Sequence, residues 1–76
     1  MENLIDPKSK LQEILQRDST MPVVYKIISE SGPAHNRSYV SQVSHNGKVL
    51  GRGSGKSKKD SEQQAALQAI NSFFSH

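Results

Sequence analysis

Three strand-forming segments follow one another with connections too short to hold a crossover helix. Residues 23–30 (VVYKIISE), 38–44 (SYVSQVS) and 48–54 (KVLGRGS) carry β-branched and aromatic residues or alternate in polarity. They are separated by a turn at residues 31–36 (SGPAHN) and by a hairpin at Asn46-Gly47, a pair that tolerates the positive φ angles of a type I′ turn. Because parallel strands need a crossover of about a dozen residues or more, we predict a three-stranded antiparallel sheet.

A helix is predicted before the first strand. Asp6 can cap the free amide groups of this helix, and Pro7 suits its first position. Leu11, Ile14 and Leu15 then follow at helical spacing, and we expect the helix to end near residue 17 or 18.

A second helix is predicted after the third strand. Ser57 is a good cap, Asp60 lies in the first turn, and Ala66, Ile70 and Phe73 form an apolar stripe. The predicted fold is therefore α+β with the order α-β-β-β-α. We assign residues 6–75 to one domain and residues 1–5 to a linker or lead-in segment.

The size and composition of the chain exclude several classes of protein. At 76 residues it holds one small domain, and a doubly wound nucleotide-binding fold would not fit. It has no cysteine for disulfides or thiolate metal sites, and no apolar run long enough to span a bilayer. The N-terminus lacks the basic segment followed by an apolar segment that is typical of a signal peptide, so we expect a cytoplasmic protein. The net charge of +3 permits a polyanionic partner without requiring one.

The segment 51–59 (GRGSGKSKK) resembles a phosphate-binding loop, but it does not fit a nucleotide P-loop. That motif would place its first glycine at position 50, which is Leu50, and would need a parallel sheet. Lys56, Lys58 and Lys59 instead cluster at the start of a predicted helix, where cations oppose the helix dipole. Taken alone, this lysine cluster fits either a solvated charge run or a surface that binds the phosphates of a nucleic acid.

Two further features bear on these alternatives. Ser9, Gln12, Glu13 and Gln16 form a polar stripe on the first helix. The stripe is either the solvated side of an amphipathic helix or a set of groups that reach ribose hydroxyls and base edges in a shallow minor groove. His35 lies in a rigid turn, and a lone histidine on the surface usually has no functional role.

Three stretches of the sequence resemble a known family. The stretches "DPKSKLQEILQ", "YKIISESGPAHNRSY" and "GRGSGKSKKDSEQQAALQAI" look like those of a double-stranded-RNA-binding domain, most closely the C-terminal domain of bacterial ribonuclease III. The resemblance covers residues 6 to 74. It implies that both helices pack on one face of the sheet, and that double-stranded RNA is the partner, recognised largely without regard to sequence.

The resemblance also implies three contact regions, two in successive minor grooves and one on the phosphates across the intervening major groove. Carried over by position, the first region is Ser9, Gln12, Glu13 and Gln16; the second is His35 with the backbone of Pro33 and Ala34; the third is Lys56, Lys58 and Lys59, with Ser57 and Gln63 as weaker candidates.

The chain departs from the family pattern at four positions. Many members have a lysine at Glu62 and an alanine at Ser61, and threonine is common at Ser9. The proline that usually lies two residues before the strand tyrosine is one residue earlier here, as Pro22. An acid at Glu62 would weaken the binding of phosphate without abolishing it.

We expect a binding domain rather than an enzyme. The seven acids are scattered along the chain, and the three histidines show no triad spacing. By resemblance, catalysis and Mg²⁺ belong to a nuclease domain of a homodimeric parent engaged in RNA processing. This domain itself needs no cofactor or small-molecule substrate and is expected to be monomeric. The alternatives are a protein-interaction module, suggested by Phe73 and Phe74, and more distantly a metal-dependent nuclease.

Overall fold

The computed structural model describes residues 6–17 and 21–74. The elements are α1 (Pro7–Gln16), β1 (Val23–Ser31), a 3-10 turn (Ala34–Asn36), β2 (Ser38–His45), β3 (Lys48–Gly55) and α2 (Lys58–Phe74). This order confirms the predicted α-β-β-β-α fold. The predicted linker at residues 1–5 and the predicted domain end at residue 75 lie outside the described residues.

The sheet is antiparallel throughout, with the strand order β1-β2-β3, as predicted. Tyr25 lies opposite Val43 on β2, and Val43 lies opposite Gly51 on β3. The β2–β3 hairpin turns through Asn46 and Gly47, whose φ angles are 55° and 78°. Both angles lie in the left-handed region that a type I′ turn requires, which is why this pair of residues fixes the hairpin.

Both helices begin at the predicted caps. The Asp6 carboxylate accepts a hydrogen bond from the Ser9 N–H at 3.2 Å, and the Ser57 hydroxyl accepts one from the Asp60 N–H at 3.0 Å. These bonds satisfy amide groups that the first turn of a helix leaves without an intrahelical partner. Helix α1 ends at Gln16, just before the residues at which its end was predicted.

The core lies between the sheet and the two helices, which pack on the same face. Leu11 of α1 and Val43 of β2 are fully buried together with three alanines of α2, namely Ala65, Ala66 and Ala69. Ile70 and Phe73 are partly buried against this cluster. The predicted apolar stripe of α2 is therefore part of the core, whereas the side chain of Phe74 lies outside the described residues.

Helix α2 packs directly on the backbone of β3 because glycines of the strand face alanines of the helix. A Cβ atom added at Gly51 would be 2.7 Å from the carbonyl oxygen of Ala65. A Cβ atom added at Gly53 would collide with the backbone of Gln64 and Ala65. Only residues without a side chain fit at these two positions, so the glycines of β3 set the distance between the helix and the sheet.

A buried pair of serines connects α2 to the middle strand. The hydroxyl oxygens of Ser41 and Ser61 are 2.5 Å apart, and both side chains are fully buried. The Ser61 hydroxyl also donates to the Lys58 carbonyl at 2.8 Å, so Ser41 is the donor between the two serines. This hydrogen bond gives Ser61 a structural role at a position where alanine is common in the resembling family.

Candidate nucleic-acid interface

The polar stripe lies on the outer side of α1. Its four residues are all exposed, whereas Leu11 on the opposite side of the helix is fully buried. Ser9 differs from the other three because its hydroxyl donates to the Asp6 carboxylate at 3.0 Å and so reinforces the helix cap. The stripe therefore presents a row of hydroxyl, amide and carboxylate groups to a partner. Its members are Ser9, Gln12, Glu13 and Gln16.

The second predicted region lies in the turn between β1 and β2, which residues 32–37 form. Gly32 has a φ of 92°, and a Cβ atom there would be 2.6 Å from the Asn36 carbonyl oxygen, so glycine is required. The Pro33 carbonyl accepts a hydrogen bond from the Asn36 N–H at 2.9 Å and closes a single 3-10 turn. Pro33, Ala34 and His35 are exposed on this closed turn.

The lysine cluster lies at the start of α2, and a hydrogen bond joins it to the β1–β2 turn. Lys56, Lys58 and Lys59 are exposed, as is Ser57, whose hydroxyl caps the helix. The Lys56 ammonium donates to the Asn36 side-chain oxygen at 3.0 Å. The start of α2 therefore lies next to the turn that holds His35, although the two are about 20 residues apart in sequence.

A group of five residues, here called the junction, connects the start of α1 to α2 and β1. The Lys8 ammonium forms an ion pair with Glu62 at 2.6 Å and lies 4.8 Å from the centre of the Tyr25 ring. The Gln63 side chain accepts from the Lys8 backbone N–H at 3.1 Å and donates to the Asp6 carboxylate. The junction residues are Asp6, Lys8, Tyr25, Glu62 and Gln63.

The junction changes the reading of two positions. Gln63, a weaker candidate for RNA binding by resemblance, is half-buried and uses both ends of its amide within the protein. Glu62, which departs from the family lysine, is paired with Lys8. This pairing leaves no pattern in the sequence, because the partners are 54 residues apart and belong to different elements.

Two ionisable groups of the junction have perturbed pKa values. Hydrogen bonds from the Ser9 side chain, and further ones from Gln63 and the Ser9 N–H, together with the charge of Lys59, lower the pKa of Asp6 below its usual value, although desolvation opposes them. Burial raises the pKa of Tyr25 to about 12, and the negative charges of Glu62 and Asp6 add to the effect. At neutral pH the junction therefore holds a charged Asp6 and a neutral Tyr25.

The contacts place the three predicted regions in a continuous order. The β1–β2 turn contacts the start of α2 through Lys56, and the next turns of α2 contact the start of α1 through Glu62 and Gln63. The lysine cluster therefore lies between the turn and α1. Within residues 6–17 and 21–74 no group of three histidine or acidic side chains could hold a metal ion. No helix in those same ranges is long and apolar enough to cross a membrane.

The order α-β-β-β-α, with a three-stranded antiparallel sheet and both helices on one face, is typical of one family of domains. The sequence profile of that family, described as the double-stranded RNA binding motif, matches residues 7–72. The chain belongs to the double-stranded RNA binding motif family, and it is a binding domain.

Individual proteins support this assignment. The chain is 56% identical over 68 residues to Ribonuclease 3 from Bacillus cereus and 54% identical to Ribonuclease 3 from Bacillus cytotoxicus. Each match covers 90% of this chain but only 28% of the relative. The solved structure of Dicer from Pichia stipitis matches with a TM-score of 0.72 and 26% identity, over 87% of this chain and 32% of that one.

Proposed function

We propose that the chain binds double-stranded RNA through its A-form shape, its 2′-hydroxyls and its phosphates, largely without regard to sequence. The observation that carries this proposal is the order of contacts, in which the lysine cluster lies between the β1–β2 turn and the start of α1, the helix that carries the polar stripe. Two minor grooves of an RNA duplex flank one narrow major groove lined by phosphates, so the two orders match.

The polar stripe and the turn would contact the minor grooves. Gln12 and Gln16 offer both donors and acceptors to 2′-hydroxyls and base edges. Glu13 repels phosphate, but its carboxylate can accept a hydrogen bond from a 2′-hydroxyl, a group that DNA lacks. In the second groove, His35 and the backbone of Pro33 and Ala34 would make the contacts. Ser9 would contribute less because its hydroxyl donates to Asp6.

The lysine cluster would neutralise phosphates across the major groove. Lys56, Lys58 and Lys59 are exposed next to the free N–H groups and the positive end of the α2 dipole, all of which favour an anion. Three cations at the start of a helix repel that dipole in the free protein. Bound phosphate would relieve the repulsion. Ser57 can still donate its hydroxyl hydrogen to a phosphate, since it acts as an acceptor in the cap.

A competition between matched duplexes tests the proposal. The 76-residue chain is titrated with an RNA duplex of about 16 base pairs, the length that such a domain spans, and with DNA of the same sequence. We expect the RNA to bind substantially more tightly at every salt concentration, and a second RNA duplex of unrelated sequence to bind about as well as the first. Equal affinity for RNA and DNA would refute the proposal.

We further propose that residues 7–72 act within a larger ribonuclease III-type endoribonuclease. The chain spans 28% of the length of its Ribonuclease 3 relatives, which supports a partner domain that carries the acids, the Mg²⁺ and the homodimer contact. RNA processing in the cytoplasm would be the role of such a parent. Magnesium-dependent cleavage of duplex RNA by the longer polypeptide, but not by the 76-residue chain, would support this assignment.

A protein-interaction role is the second candidate, and one observation favours it. Val24 and Val49 are 50% and 47% exposed, and both lie opposite Ser44, so they share the sheet face that the helices leave uncovered. We nevertheless propose a monomer for the isolated domain. Concentration-dependent sedimentation together with no RNA binding would favour the second candidate over the first.

A further inference from the structure

The junction is the structural link between the polar stripe and the lysine cluster. Its hydrogen bonds and ion pair join residues that are 54 to 57 positions apart, at the start of α1 and one turn beyond Lys58 and Lys59 on α2. These contacts therefore fix the position of the polar stripe on α1 relative to the lysine cluster on α2.

Gln63 fixes the start of α1 in one orientation. Its amide oxygen accepts the Lys8 N–H, and its amide nitrogen donates to the Asp6 carboxylate. Reversing the amide would place its oxygen against the carboxylate and its N–H group against another N–H, so only one orientation satisfies both partners. The first turn of α1 is thereby held in register with α2.

The Lys8–Glu62 pair adds a second, charged connection. The two side chains are only 34% and 24% exposed, and the ammonium also lies over the face of the Tyr25 ring. A partly desolvated ion pair with a cation–π contact is held more firmly than an exposed pair, whose side chains move freely in water. Lys8 therefore connects α1 to α2 and to β1 at one point.

We propose that Glu62 is a positioning residue for RNA binding, acting through Lys8 rather than by touching RNA. The inference rests on the proposed function. Because the helix radius with side chains is about 5–6 Å, a rotation of α1 by about 20° would move the tips of the polar stripe by about 2 Å. That movement would separate Gln12 and Glu13 from the 2′-hydroxyls while the lysine cluster stayed on its phosphates.

The proposal predicts that removing the charge of Glu62 weakens RNA binding, which is the opposite of what repulsion between an acid and a polyanion predicts. Removing an acid beside a lysine cluster should strengthen RNA binding if only charge mattered. We expect Glu62→Gln instead to weaken RNA binding by about 3- to 10-fold, as for the loss of a coupled contact. Asp60→Asn is the matched control, since it removes the same charge from the first turn of the same helix. We expect it to leave RNA binding unchanged or stronger.

A charge reversal tests whether Glu62 acts through Lys8. Lys8→Glu and Glu62→Lys are each expected to weaken RNA binding because each puts two like charges together in place of the ion pair, and for Glu62→Lys we expect this loss to outweigh any phosphate contact of the new lysine. The double variant is expected to recover most of the wild-type affinity because it restores the pair at the same net charge. The RNA-to-DNA affinity ratio should fall in the single variants and recover in the double variant, while the salt slope of Glu62→Gln stays that of the wild type. Measurements well below each unfolding midpoint keep all variants folded.

The outcomes separate this inference from the proposed function. If the wild-type chain does not prefer RNA, the proposed function fails and the inference fails with it. If the wild type prefers RNA but Glu62→Gln binds as tightly as Asp60→Asn, or the double variant is no better than the single variants, Glu62 has no positioning role. Weaker RNA binding by Glu62→Gln with an unchanged RNA-to-DNA ratio would also overturn it.

Discussion

Tyr25 carries a buried hydroxyl group with no hydrogen-bond partner among the described residues. Leaving such a group unsatisfied costs about 1–3 kcal/mol, and replacing it by an apolar group avoids that cost. We therefore expect Tyr25→Phe to be as stable as the wild type or more stable by about 1 kcal/mol at pH 7, since the ring under Lys8 is retained. Urea unfolding measures the difference in the free energy of unfolding. A loss of more than about 1 kcal/mol in Tyr25→Phe would show that the hydroxyl does have a hydrogen-bond partner.

The same variant should behave differently in alkali. The pKa of Tyr25 is raised to about 12 in the folded chain from a usual value of 10.0, so the folded state favours the neutral phenol. This contribution to stability is complete below pH 10 and is lost as the pH rises toward 12. Between these values the wild type should lose more stability than Tyr25→Phe, in which only the other groups titrate.

At the scale of elements, β3 shows where sequence patterns mislead. Its glycines suggest a strand that weakens toward its end, yet β3 continues to Gly55. The small residues serve packing instead, because Gly51 and Gly53 lie against the backbone of α2. Nothing local to β3 indicates that its glycines contact α2, because the two segments meet only in the folded chain.

Replacing Gly53 tests this role of β3. The added methyl group of Gly53→Ala would collide with the backbone at Gln64 and Ala65, which no side-chain rotation can relieve. We expect a loss of about 2–3 kcal/mol, in the upper range for overpacking. Gly47→Ala is the control, because a Cβ atom there meets nothing within 4 Å and only the positive φ angle is strained. A smaller loss for Gly53→Ala than for Gly47→Ala in thermal unfolding would show that α2 can move away from β3.

At the scale of the whole molecule, the order of elements was predictable and the links between them were not. Short turns, two helix caps and an Asn-Gly pair act locally, so the sequence alone fixes the α-β-β-β-α order. Contacts such as Lys8–Glu62 and Lys56–Asn36 join distant segments and leave no local pattern. The family resemblance proposed Gln63 as an RNA contact, whereas in the structure its side chain forms hydrogen bonds with Lys8 and Asp6.

The lysine cluster permits a prediction for the molecule as a whole, because phosphate contacts appear in the salt dependence of binding. With three lysines on phosphates, the plot of log affinity against log salt concentration should have a slope on the order of −2 to −3. Lys58→Ala or Lys59→Ala should weaken binding to all duplex sequences alike and make the slope shallower by about 1. Their RNA-to-DNA ratio should stay that of the wild type, unlike that of Glu62→Gln.

Lys48→Ala is the control for this measurement. Lys48 is exposed in the β2–β3 hairpin, at the end of the sheet opposite the turn that holds His35. Lys48→Ala removes the same charge from the protein as Lys58→Ala does, but it removes no proposed phosphate contact. The slope of log affinity against log salt concentration should therefore not change. If Lys48→Ala and Lys58→Ala lowered the slope equally, the lysines would act through net charge alone, and phosphate binding would not be localised at the start of α2.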